Sequence, residues 1–306
     1  MVKGYDCLSI CFTYAENLLN NSIDDYQVYF SFGIRKVGYK EGKLNSNSHG
    51  NILDNLNLYG IERKTKDVFE KTETPEEYIK RICEQKKCLI LCANTKRLSY
   101  RNIFVHNASA NHYMCVKDFD ENAQKIYIYD GSVTADEEDP FEGWIEWQEV
   151  LPAWEDTGFD HFIWDKSHMD REKIADNVRD SFIGTLNHYL NSESKDGFVR
   201  GEEAIRTWVK TISDQDDMDQ LLHQLKVVGV ITIKQYILLY LEHEMEDSIW
   251  VEQYRGIVEG WRKLCMLLFF MKLRKRYDAL AKFKNEAEAL LNEENRILQE
   301  VCKNII

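Results

Sequence analysis

The sequence predicts an α/β (α+β) protein in two parts, a mixed domain over 1–165 and a helical domain over 166–306. Three observations predict it. Between 88 and 131 stand three strand-like runs, CLILCA (88–93), HYMCVKDF (112–119) and KIYIYDG (125–131). Beyond Asp165 this alternation gives way to helical spacing, with candidate helices near 170–192, 201–212, 214–245 and 247–303. The chain also has only three prolines, which favours helix over loop-rich β architecture.

In chain order, Asp6 is a good N-cap, and Leu8, Cys11, Phe12, Ala15, Leu18 and Leu19 recur behind it at helical spacing. YQVYFSFGIR (26–35) is aromatic and alternating, so it reads as a strand or extended segment. A Gly/Asn/Ser-rich loop runs from Gly38 to Gly50, and ILDNLNLYG (52–60) reads as a helix with Gly60 at C′. Thr74-Pro75-Glu76-Glu77 starts a helix that should reach about Lys87. The last two strand runs are separated by DENAQ and form a hairpin. Acidic, tryptophan-rich sequence from Thr134 to about Trp164 closes this half.

Composition narrows the function classes. The chain is 44% hydrophobic and 30% charged, as expected of a soluble globular protein. A net charge of −13 argues against general binding to nucleic acid, whose phosphates would be repelled. MVKGYDCLSI lacks the apolar run of a secretory signal, and Leu264 to Met271 is too short to span a bilayer. With no export signal, the eight cysteines are expected as free thiols in a reducing cytoplasm.

Three residues stand in settings that suit thiol catalysis. Cys7 comes directly after the cap residue and falls in the first helical turn, where partial positive charge favours a thiolate; a small core cysteine is the alternative. His112 opens a strand after the polar run HNASAN, so its ring can project from a sheet edge; a satisfied core histidine is the alternative. Asp130 closes the paired strand before Gly131, where its carboxylate can accept the imidazole N–H or cap its own turn.

YDCLSICFTYAENLL, NHYMCVKDFDENAQKIYIYDGS and the later GEEAIRTWV carry a family resemblance. Over nearly the whole chain the sequence resembles the butirosin-biosynthesis-H-type acyltransferases, and more distantly the C39-like and papain-like cysteine peptidases. The resemblance implies a papain-like mixed domain and then a helical one. It also implies amide formation in thiotemplated, nonribosomal-peptide-type antibiotic biosynthesis. The acyl group would come from a carrier protein's phosphopantetheine thioester, pass through Cys7 and reach an amine acceptor, with His112 as acid/base and Asp130 as its orienter. No bound cofactor, metal, nucleic acid or membrane is implied. A papain-like hydrolase and a non-catalytic carrier-binding scaffold are the alternatives. The sequence departs from the peptidase pattern in one respect. The oxyanion-hole glutamine position falls on Met1, and residues 1–6 contain no Gln or Asn. The oxyanion is then left to the Cys7 backbone N–H and a second donor, with Tyr5 the candidate.

Other features point elsewhere or nowhere. Cys7 and Cys11 on one helix face would make a strained disulfide. Cys88, Cys92 and Cys115 read as buried strand residues, and no CxxC pair supports a structural zinc site. LEHEMED (241–247) lacks a second zinc histidine, and DEEDPFEGWIEW (136–147) lacks EF-hand spacing. Lys272, Lys275 and Arg276 share one side of a predicted helix, either as a solvated face or as a dock for an acidic carrier protein.

Overall fold

The computed structural model describes 4–19, 21–46, 52–69, 73–101, 104, 110–132, 139–164, 169–191, 194–195, 198–226, 230–246, 248–275 and 277–305. The protein is a mixed α+β structure with two antiparallel sheets. It forms two compact units that interleave along the chain. One comprises Met1–Tyr29 and Ile52–Ala175, the other Phe30–Asn51 and Asp176–Ile306.

The first unit is built on a six-stranded sheet of order β3-β8-β4-β5-β6-β7. Its strands are β3 (Glu62–Lys64), β4 (Cys88–Asn94), β5 (Asn111–Asp120), β6 (Lys125–Asp130), β7 (Phe141–Glu146) and β8 (His161–Trp164). The β5–β6 pair is the expected hairpin. β7 and β8, with helix α5 (Trp147–Glu155), occupy the acidic, tryptophan-rich stretch to which the sequence assigned no element.

Strand registry sorts the side chains. Phe162, Ile90, Cys115 and Tyr129 lie opposite one another across β8, β4, β5 and β6 and so share a face. Helix α1 (Cys7–Leu18) packs on that face: Phe12 meets Phe162 and Trp164 edge-on, and Tyr14 stacks on Tyr129 with ring centroids 4.1 Å apart. The opposite face carries Leu89, Leu91, Met114, Val116, Ile126 and Ile128. It packs on α5 and on α4 (Pro75–Glu84) through Tyr78, Ile79, Ile82, Trp147, Val150 and Trp154. Burying side chains of this size contributes about 1.5–3 kcal/mol each, so both layers stabilise the sheet.

Local chemistry starts both α1 and α4. Asp6 caps α1, its carboxylate accepting from Ser9 N–H at 2.8 Å. Thr74 and Glu77 form a reciprocal capping box on α4, which ends at Glu84.

The second unit has a small sheet of order β2-β1-β10-β9 and a helical bundle. The sheet's strands are β1 (Val37–Lys40), β2 (Lys43–Ser46), β9 (Ser194–Lys195) and β10 (Phe198–Arg200). Two sequence expectations are corrected here. Tyr26 to Ser31 is not extended but lies in helix α2 (Asp25–Ser31). Tyr26, Val28, Tyr29, Phe30 and Phe32 are all buried, so the aromatic run reflects burial on every side rather than a two-sided strand. The Gly38–Gly50 loop contains the β1–β2 hairpin, turned by Glu41 (φ 52°) and Gly42 (φ 82°) as in a type I′ turn; 47–50 fall outside the described residues.

α3 (Ile52–Asn55) belongs to the first unit, and after α6 (Arg171–Leu190) the bundle continues, among the described residues, through five more helices. They are α7 (Glu202–Thr211), α8 (Met218–Lys226), α9 (Val230–Glu244) and the pair α10 (Ile249–Arg274) and α11 (Leu280–Ile305). The helix expected over 247–303 is thus two: Lys275 takes a left-handed conformation (φ 49°) and ends α10. Gly260 lets the two helices close, since an added Cβ there would lie 2.5 Å from a Leu290 methyl. The apolar stretch of α8 and α9 is core, with Leu221, Leu225, Ile233, Tyr236, Ile237 and Leu241 buried.

Candidate active site

The β5–β6 hairpin explains how His112 and Asp130 meet. One step beyond the Cys115–Tyr129 pair sets Asp130 opposite Met114. His112, two residues on, is then its diagonal neighbour on the same face, within reach of long side chains. His112 Nε2 lies 2.8 Å from Asp130 Oδ2, and both side chains are buried. An ionised Asp130 only accepts, so Nε2 donates in this contact, and in the neutral ring Nδ1 then carries the lone pair. Phe104 packs edge-on against the ring, its centroid 4.9 Å away.

Asp130 has three further donors. Tyr100 Oη donates to Oδ2 at 2.9 Å, Arg101 Nη1 to Oδ2 at 3.2 Å, and the Ser132 backbone N–H to Oδ1 at 3.1 Å. The Ser132 contact is the turn cap the sequence offered as the alternative role, so one carboxylate does both: Oδ1 closes the turn and Oδ2 meets the imidazole. Burial alone would raise the Asp130 pKa; His112, Arg101 and Tyr100 outweigh it and hold the carboxyl below the ordinary range. Tyr100 and Arg101 went unpredicted. They come after β4 in a loop, and neither carries a spacing or capping signal that marks it before the fold brings it to Asp130.

The Asp130 strand end also anchors the approach to Cys7. Gly4 N–H bonds to Gly131 O at 3.1 Å, and Gly4 bridges Ser132 in parallel fashion. Gly131 permits this closeness: a Cβ there would lie 2.8 Å from both Ile10 Cγ1 and Tyr129 Oη. Cys7 then opens α1 in a half-buried position, and its sulfur accepts from the backbone N–H of Tyr113, the residue after His112. All three sequence-predicted residues therefore gather at one end of the sheet.

The electrostatics differ from the expected lowering of the thiol pKa. Burial pushes the Cys7 thiol well up, and the Asp6 and Asp130 carboxylates push the same way; among the described residues the Tyr113 N–H opposes them. The residue that caps the helix thus offsets the benefit of the helix terminus, because its negative charge sits beside the thiol. Behind Cys7, the free thiols of Cys11 and Cys115 are buried, and burial raises the Cys11 pKa to about 11. Among the described residues no group of three or more His, Cys, Asp or Glu side chains is arranged to hold a metal.

The basic cluster lies on the second unit. Lys272 is ion-paired with Asp219 of α8, Arg274 stacks over Phe270, and Lys275 is the exposed end of α10; Arg276 lies outside the described residues. The helix ends at Arg274, so Lys275 does not continue the helical side of Lys272 as expected. Met266, Phe270 and Leu273 are exposed beside these cations.

Comparison with protein-family models gives no match, and no curated protein matches the chain.

Proposed function

We propose that the protein is a cysteine-dependent acyltransferase whose mixed unit is papain-like and whose nucleophile is Cys7. The observation that carries this reading is the buried His112–Asp130 pair at 2.8 Å, set on the strand whose next residue gives its N–H to the Cys7 sulfur. In the proposed reaction His112 Nδ1 takes the Cys7 proton as sulfur attacks the thioester carbonyl of an acyl carrier. The carrier thiolate leaves with that proton, and Cys7 holds the acyl group as a thioester. An amine then attacks, its proton passes to His112, and the Cys7 thiolate leaves and is reprotonated as the amide forms. A thioester is more activated than a peptide bond, so this chemistry suits a thiol that must be deprotonated in place and a sequence with no Gln or Asn among residues 1–6.

Incubation with an acyl-loaded carrier protein is expected to add the acyl mass to the protein, and Cys7→Ala to abolish the adduct in intact-mass spectra. An adduct that persists in Cys7→Ala, or maps to Cys11, overturns the assignment. Release of the acyl group to water even with excess amine would make the protein a hydrolase instead. The carrier's docking surface is proposed on α10, at Arg274 and Lys275 with Met266, Phe270 and Leu273. Self-pairing of that face about a two-fold axis would set cation against cation, whereas an acidic partner complements it.

A further inference from the structure

Arg101 is a charged member of the cluster with no role in the acyl-transfer reading. Its side chain is buried, and it donates through Nη1 both to Asp130 Oδ2 and to the Ser132 carbonyl. Oδ2 is also the oxygen that His112 contacts. Asp130 therefore serves two cations at once whenever His112 is protonated.

With His112 neutral, Arg101 and Asp130 already cancel. Protonating His112 puts a second positive charge on the same carboxylate oxygen in a buried setting, while a Cys7 thiolate would face the carboxylates of Asp6 on α1 and Asp130 on β6. Among the described residues, the other titratable groups around the thiol include Cys11 on α1, Cys92 on β4 and Tyr113 on β5, all held protonated by burial, and Tyr100 reaches Asp130 as a neutral phenol. Of all these groups, only the Tyr113 N–H favours the thiolate directly. A guanidinium does not deprotonate in a protein, so its effect on Asp130 is permanent.

We propose that Arg101 is a positioning residue that keeps the Cys7–His112 pair neutral at rest, so that the proton moves only once an acyl donor is bound. The proposal rests on the triad reading above and adds its regulation: a resting thiol that ignores general electrophiles and oxidants and reacts with a positioned thioester. Arg101 acts through Asp130 and touches no reacting atom.

Alkylation of Cys7 by iodoacetamide, monitored against pH by peptide mass spectrometry, tests this without any acyl donor. The wild-type rate is expected to rise in one step at alkaline pH with no plateau of reactivity at acid pH. Arg101→Gln leaves Asp130 free to stabilise the imidazolium, so an acid-side plateau should appear and the rate at pH 6 should rise about tenfold or more, one pKa unit being a factor of ten. Arg101→Lys, which keeps the charge, should bring the profile back toward wild type. A wild-type plateau at acid pH overturns the proposal whatever the variants do, and so does a folded Arg101→Gln with the wild-type profile. The acyl-adduct assay with the wild-type chain scores the transfer reading separately, because alkylation requires no carrier.

Discussion

Two buried histidines of the first unit show how neighbours decide what an imidazole does. His112 meets a carboxylate that also holds Arg101 and Tyr100. His161 instead lies with Nδ1 2.7 Å from the Phe159 carbonyl and Nε2 2.6 Å from the Tyr78 hydroxyl. The Phe159 carbonyl requires Nδ1–H to donate, and in the neutral ring Nε2 then accepts from the Tyr78 hydroxyl. Burial lowers its pKa to about 4. In the unfolded chain the same group titrates near ~6.5, so between these values the unfolded state binds a proton that the native state refuses. Stability contributed by this group is complete above about pH 6.5 and falls as pH drops toward 4, by about 2 kcal/mol at pH 5. Urea unfolding at pH 7, 6 and 5 should give a flatter pH dependence for His161→Gln than for wild type; parallel dependences refute it. At this scale the places of Cys7, His112 and Asp130 in helix, strand and turn are legible because cap, strand start and turn are local signals. Arg101 was not, since what makes it matter is a carboxylate 29 residues away.

At the scale of elements the same distinction holds. The α4 capping box and the β5–β6 hairpin are written in adjacent residues, and the structure has both. Tyr26 to Phe32 carries a strand-like composition yet folds as α2 and its flank, because tertiary burial overrides propensity. The break between α10 and α11 has no glycine or proline to announce it, only Lys275 in a left-handed conformation. The bundle contains a feature no periodicity shows: Lys234 of α9 and Glu294 of α11, both fully buried, bonded to each other and to the hydroxyls of Tyr189 and Tyr254. Removing one partner leaves the other charge stranded, which costs about 3–5 kcal/mol, whereas an apolar pair of similar volume is often neutral. Glu294→Leu should therefore lose about that much in urea unfolding, and Lys234→Met/Glu294→Leu should recover most of it. Additive losses in the double variant would show that the four groups are not coupled.

At the scale of the molecule, charge distribution matters more than its sum. The chain carries −13, yet from Arg262 to Lys275 it has five basic residues and no acidic one. With Lys272 already paired to Asp219, the cations proposed to meet a carrier protein are Arg274 and Lys275. Arg274→Glu/Lys275→Glu should raise the apparent KM for carrier-bound substrate and leave a small free thioester nearly unaffected. The difference should shrink with added salt, since exposed charges are screened over about 8 Å at physiological ionic strength. Equal losses on both substrates would refute docking there.

The interleaving of the two units sets a timetable for synthesis. Gly38 of β1 pairs with Arg200 of β10, so the central contact of the small sheet spans 162 residues of chain. At roughly 5–20 residues per second, β1 and its hairpin wait on the order of 8–32 s for their partner to be made. During that interval the edge of β1 is an open template, and the charged ends of the hairpin, Lys36, Lys40, Glu41 and Lys43, stand guard over it against pairing with another nascent chain. A fragment begun at 166 would lack β1 altogether and expose β10 in the same way, so the helical unit can be produced alone only if 30–51 travels with it.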